Sequence, residues 1–208
     1  MVKKGLLIVV SGFSGVGKGT LMKELMRMHP NYVLSISMTT RAPRPGETDG
    51  KEYFFKTRDE FMELVEKDGF LEYAEYVGNC YGTPRAFVEE QLQAGKNVLL
   101  EIEEQGALQI KAKFPEALLL YVVPPNAAEL KKRLIGRGTE DESLIAKRLS
   151  RAVEESDKMD AYEYIVVNDQ VERAAKEINI IAESAACSVS RNAEFIDEMR
   201  KEMHETYL

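Results

Sequence analysis

Gly12-Phe-Ser-Gly-Val-Gly-Lys18 carries the spacing G-x4-G-K. Glycines at those positions let backbone N–H groups turn inward around an anion, and the lysine reaches the terminal phosphates of a nucleoside triphosphate. An apolar run precedes the loop and an amphipathic stretch follows it, so the loop opens a helix whose N-terminus adds partial positive charge. Gly12, Phe13, Ser14, Gly15, Val16, Gly17, Lys18, Gly19 and Thr20 are therefore the candidate triphosphate contacts. The Ser or Thr that usually follows the lysine is absent. Gly19 stands there, and the Thr20 hydroxyl next to it is left to reach a Mg2+ shell through water. Asn97-Val-Leu-Leu-Glu101 ends a buried-type run in a carboxylate, which makes Glu101 a candidate for ordering Mg2+ and its waters. On its own, such a glutamate is also a common surface residue at a strand end.

These groups need a scaffold that brings strand ends together. Apolar runs without polar alternation occur at Leu6–Ser11, Asn97–Glu101, Leu118–Val123 and Tyr164–Val167, which predicts parallel strands covered on both faces. Amphipathic stretches lie between them, beginning with a helix at Lys18–Met28, so the fold class is α/β: a parallel sheet flanked by helices. Two segments break the rhythm. Residues 35–96 are rich in Arg, Gly, Pro and Tyr and predict a small, mixed, partly antiparallel insert. In it, Thr57 and Glu60 form a capping box for a helix to about Asp68. Residues 126–156 are highly charged and predict a helix pair around Gly136-Arg137-Gly138, with few apolar residues, loosely packed and able to move. The stretch from Val171 to about Met203 predicts one helix whose Met and Ile residues are core, and residues 188–208 read as a C-terminal extension.

Composition narrows the function classes. The chain has 208 residues, 44% of them hydrophobic, which suffices for a core without disulfide or metal staples. Cys80 and Cys187 have no metal-ligand spacing and read as free thiols of a reducing compartment. A formal net charge of −7 argues against a nucleic-acid binder, which needs a broad basic face. It leaves room for a phosphorylated small molecule held by a few convergent arginines. The apolar run after the initial Met-Val-Lys-Lys is too short for a secretory signal, and no stretch approaches the roughly 20 residues of a membrane span. The expected location is cytoplasmic.

Four blocks together resemble the guanylate kinase family over residues 5–187. They are Ser11–Thr20; Ser35-Ile-Ser37-Met-Thr-Thr-Arg41-Ala-Pro-Arg44-Pro-Gly-Glu47; Phe70-Leu-Glu72 with Gly78-Asn-Cys-Tyr81-Gly-Thr83-Pro; and Gly136-Arg137-Gly-Thr with Lys147-Arg148-Leu. The resemblance implies a P-loop core, a GMP-binding insert and an ATP lid, with Mg2+ as cofactor and ATP and GMP as substrates. It implies that Ser37, Arg41, Arg44, Tyr53 and Tyr81 hold GMP by its phosphate side. Glu72 and Thr83 would read the guanine edge, and Glu103 would lie near the ribose. Arg133, Arg137 and Arg148 would close over the triphosphate, with Asn168 on the adenine side. Lys18, Arg41, Arg137 and Arg148 would then be the catalytic set. The chain departs from the family pattern at Phe13, Gly19, Cys80 and Glu103, the last standing where aspartate is common. A monomer or a small homo-oligomer is expected. Two other readings stay open on the sequence. A non-catalytic scaffold module of the same family is opposed by Lys18 and the lid arginines. A kinase of another nucleoside monophosphate is opposed by Glu72 and Thr83.

Overall fold

The computed structural model describes residues 4–135 and 142–208, with 142–144 described by backbone alone. In chain order it runs β1 (Leu7–Gly12), α1 (Lys18–Met28), β2 (Tyr32–Leu34), β3 (Met38–Thr39) and β4 (Phe54–Phe55). Then follow α2 (Arg58–Glu66), β5 (Phe70–Tyr76), β6 (Asn79–Pro84), α3 (Arg85–Gln93), β7 (Asn97–Leu100) and α4 (Glu104–Lys113). The last third comprises β8 (Leu118–Val123), α5 (Ala127–Ile135), α6 (Glu142–Ser156), β9 (Tyr164–Val167), α7 (Val171–Ala186) and α8 (Ala193–Tyr207).

Five strands pair in the order β2-β7-β1-β8-β9, every pairing parallel. Alternate residues of the central strands serve different layers. Ile8, Val10, Leu120 and Val122 pack with Leu21, Leu25 and Ile178 of α1 and α7. Leu7, Val9 and Leu119 pack with Val88, Leu92 and Ile110 of α3 and α4. A sheet covered this way needs runs apolar on both faces, which is what β1, β7 and β8 are. The exception is β9, the sheet edge, where Ile165 is 46% exposed and Tyr164 is also exposed. Expecting both faces of that strand to be covered was therefore wrong, because an edge position leaves part of it without a neighbour. The strand β2, three residues long, is too short to signal itself in the sequence.

The second sheet, β4-β3-β6-β5, is mixed: β3 runs parallel to β4 and antiparallel to β6, which is antiparallel to β5. Its own small core stacks Phe61 on Phe70 with ring centroids 4.4 Å apart, beside the buried Cys80. The capping box of Thr57 and Glu60 starts α2 as the sequence predicts. Although α3 falls inside the stretch 35–96, it packs Val88 and Leu92 into the main core.

Two expectations about helices need correction. The segment 126–156 is not loose throughout. Leu130 and Leu134 lie on one face of α5 and enter the main core, with Leu134 only 1% exposed, so α5 is anchored there. The C-terminal stretch is two helices, not one. At the break the Cys187 and Ser188 N–H groups take the Ser184 and Ala185 carbonyls, and Asn192 donates its amide to the carbonyls of Ala186 and Ser188 at 3.1 and 2.7 Å. Beyond the break, α8 buries no residue, and Met199 and Met203 are exposed rather than core.

Candidate active site

The carboxyl ends of β1, β7 and β8 open onto one cleft of about 1140 Å3, the place where an open parallel sheet ordinarily binds its ligand. At its core end the loop after β1 makes three turns through positive φ, at Gly12, Gly15 and Gly17. Gly12 also passes so close to Val122 that a Cβ would lie 2.3 Å from its carbonyl oxygen. Gly17 is the N-cap of α1, with no side-chain cap and no acidic residue in the first turn. The first N–H groups of the helix are thus left for an external acceptor. Lys18 Nζ folds back over the loop, donating to the carbonyls of Gly12 at 2.8 Å and Phe13 at 3.4 Å. Across from it stands Glu101. Its surface is open to the cleft, yet the surrounding walls push its pKa up and the Lys18 charge draws it back down. Thr20 is exposed on α1 and is not part of the cleft lining.

Behind the loop, Asn168 is 2% exposed and donates to the Val16 carbonyl at 2.9 Å; Arg133 donates to the same oxygen at 3.1 Å and to Glu129 at 3.0 Å. Both residues brace the loop from outside the cleft lining. Phe13 is buried and meets Tyr121 edge-on, with ring centroids 5.3 Å apart, so the departure at this position fills core space.

The insert supplies the other end of the cleft. Glu72 on β5 is 4% exposed and accepts a hydrogen bond from Thr83 Oγ1 on β6 at 2.6 Å. The antiparallel register that sets Glu72 opposite Thr83 makes this pair. Burial raises the Glu72 pKa, while the Thr83 hydroxyl and N–H and the charge of Lys113 favour the anion. Ser37, Tyr53 and Tyr81 line the wall between the pair and the P-loop, the two tyrosine rings 6.0 Å apart. Arg41 and Arg44 stand outside the lining. Arg41 pairs with Glu47 at 2.9 Å and lies 5.3 Å from the Tyr53 ring centroid, while the Arg44 N–H caps the same carboxylate at 2.7 Å. Glu47 is held below the usual carboxylate range by that Arg44 N–H first and by Arg41 second. Only as part of a sequence block does Glu47 figure among the site residues, and its tie to Arg41 could not be read from spacing.

From α6, Arg148 and Arg151 face the cleft, with Lys147 beside them; Arg137 lies outside the described residues. Arg151 is the residue the sequence reading missed altogether. It pairs with Glu103 at 2.6 Å and Glu155 at 2.9 Å, lies 4.8 Å from the Tyr76 ring centroid, and hydrogen-bonds the Tyr76 hydroxyl. Glu103, expected near a ribose, is thus engaged with α6. One residue thereby joins α6, the start of α4 and β5.

A family model described as guanylate kinase matches residues 4–185. The chain belongs to the guanylate kinase family. It is similar to the guanylate kinase of Bacillus anthracis, 53% identical over 198 residues, which cover 95% of this chain and 97% of that one. The guanylate kinase of Lactococcus lactis subsp. lactis is 52% identical over 191 residues, covering 92% and 93%. Among solved structures, guanylate kinase from Anaplasma phagocytophilum superposes with a TM-score of 0.74 at 33% identity, covering 92% of each chain. Within the family's frame the cleft has two charged ends of different design. One is a backbone cradle with a lysine, suited to a polyphosphate; the other is a buried carboxylate and hydroxyl, suited to a base edge. Among the described residues no group of three or more His, Cys, Asp or Glu is placed to hold a metal, and no helix is long and apolar enough to cross a membrane.

Proposed function

We propose that the chain transfers the γ-phosphoryl group of ATP to GMP, and to dGMP, giving ADP and GDP or dGDP. The observation that carries the reading is the buried Glu72–Thr83 pair at one end of the cleft whose other end is the Lys18 loop. Guanine offers N1–H and N2–H2 along one edge and an acceptor at O6. The two donors replace the Thr83 hydroxyl as partners of Glu72, and that hydroxyl turns to O6. Glu72 is then never left buried and unpaired. Adenine has no donor at N1 and no amine at C2, so AMP would strand the carboxylate. Mismatches of this kind discriminate by about 10^4 or more.

The acceptor is a phosphate oxygen whose second pKa is about 6, so no side chain has to remove a proton at neutral pH. The work is positioning and charge compensation. Arg41 and Arg44 hold the acceptor phosphate, the guanidinium of Arg41 leaving Glu47 to do so, with Tyr53 and Tyr81 beside it. Lys18 and the loop N–H groups hold the donor phosphates, and Arg148 and Arg137 compensate charge spreading onto the transferring group. Mg2+ takes few protein ligands and keeps water and substrate oxygens, so Glu101 in the cleft lining would order it and its waters, whereas Thr20 stands outside that lining. When bound, Mg2+ neutralises charge on the triphosphate. Two free thiols support a reducing compartment such as the cytoplasm. Release of ADP measured with ATP and each of GMP, dGMP, AMP, CMP and UMP tests the reading. Turnover with GMP and dGMP alone is expected, and equal turnover with AMP would end it.

A further inference from the structure

Gly106 is the third residue of α4, a helical position where alanine is the better helix former, and its backbone needs no positive φ. A Cβ built there would lie 2.7 Å from Glu72 Oε2, 3.1 Å from the Glu72 carboxyl carbon and 3.3 Å from Ile102 Cδ1. The contact cannot be relieved by backing the helix away. Gln109 exchanges hydrogen bonds with the Tyr73 backbone at 3.1 and 3.4 Å, and Lys113 donates to the Leu71 carbonyl at 2.8 Å. Two successive turns of α4 are thereby fastened to β5. What can move is the carboxylate, the free end of a flexible side chain. Its other oxygen accepts from the Thr83 hydroxyl.

We infer that Gly106 is a specificity-determining positioning residue: the missing methyl group lets the Glu72 carboxylate lie against the first turn of α4, where it meets the guanine edge. The first turn of a helix is also where its dipole favours a nearby anion. The inference rests on Glu72 reading the base. Adding a methyl displaces the carboxylate and leaves the fold intact, so function and stability should part company.

The test is Gly106→Ala, Glu72→Ala and the double variant, assayed with ATP and GMP, IMP or AMP, alongside thermal melts. For Gly106→Ala, kcat/KM for GMP should fall about tenfold to a hundredfold, the range for a displaced buried hydrogen-bond partner. The loss should sit mainly in the KM for GMP, with the KM for ATP unchanged. IMP, which lacks the N2 amine, should lose less than GMP, so the preference between them narrows. The melting temperature should hold or rise. In the Glu72→Ala background the same substitution should add nothing. Native GMP kinetics in Gly106→Ala while Glu72→Ala is impaired would overturn the role of Gly106 alone. A Glu72→Ala chain that still prefers GMP would remove the base-reading assignment and this one with it. A lowered melting temperature, or an equal loss in the Glu72→Ala background, would mark a packing role and overturn the inference.

Discussion

In the proposed base-reading role Glu72 must be ionised to accept two hydrogen bonds from a guanine edge, yet burial raises its pKa. The protonated form therefore persists to a higher pH than for an ordinary carboxylate. Recognition is complete above the raised value and is lost as pH falls through it. The KM for GMP should begin to climb on acidification while the solution is still above the ordinary carboxylate range, with the KM for ATP as control. A flat KM for GMP down to that range would remove Glu72 from the base site. The linkage to folding has the opposite sign. A carboxylate with a raised native pKa binds its proton more tightly when folded, so its contribution to stability grows as pH falls through the same window. Gly19 offers a second test. Nothing lies within 4 Å of where its Cβ would be, so Gly19→Ser should fold normally and restore the hydroxyl that P-loops place after the lysine. Half-maximal rate should then need less free Mg2+; an unchanged Mg2+ dependence would show that position 19 does not face the metal.

Elements whose signal is local were legible in the sequence. β8 and β9 were expected at the residues where they occur, because four to six apolar residues in a row have few alternatives. The capping box of α2 is equally local. What stayed hidden depends on contacts far along the chain. Taken alone, Glu72 reads as an exposed strand residue, and only the resemblance assigned it to the base. Its burial comes from α4, more than thirty residues away, approaching through Gly106. Arg151 gave no signal, since its partners come from β5, the start of α4 and its own helix. The anchoring of α5 was missed because two leucines among charged residues look like a sparse face. Leu134 is fully enclosed, and Gly15 of the P-loop approaches so closely that a Cβ there would be 2.6 Å from Leu134 Cδ2. Leu134→Ala should therefore cost about 2–5 kcal/mol in denaturant melts, as buried leucines do. It should also raise the KM for ATP more than the KM for GMP, because the cavity lies beneath the cradle. A loss under about 0.5 kcal/mol, typical of surface positions, would show that α5 is not part of the core.

At the scale of the molecule, the proposed transfer between two polyanions would be helped if the insert, the core and α6 closed around them and kept water out. Arg151 links all three: Glu103 belongs to the core, Tyr76 to the insert, and Arg151 itself to α6. Side chains in that network are partly exposed, Arg151 by 32% and Glu103 by 65%, so each contact is individually weak and screened by salt. Its importance lies in where it acts. A contact that spans the three parts shifts the balance between open and closed forms by its own free energy, and the closed fraction multiplies the apparent affinity of any ligand that needs the closed form. Arg151→Gln should therefore raise the KM for GMP and for ATP together while leaving kcat nearly native. Salt should weaken substrate binding by the native chain more than by the variant. Small-angle scattering supplies the decisive comparison. The ligand-free variant should have a larger radius of gyration than the ligand-free native chain, and the two should converge once both nucleotides are bound. Superimposable profiles of the two ligand-free proteins would show that Arg151 does not hold the molecule together. Profiles unchanged by nucleotides in either protein would show that substrate binding drives no closure.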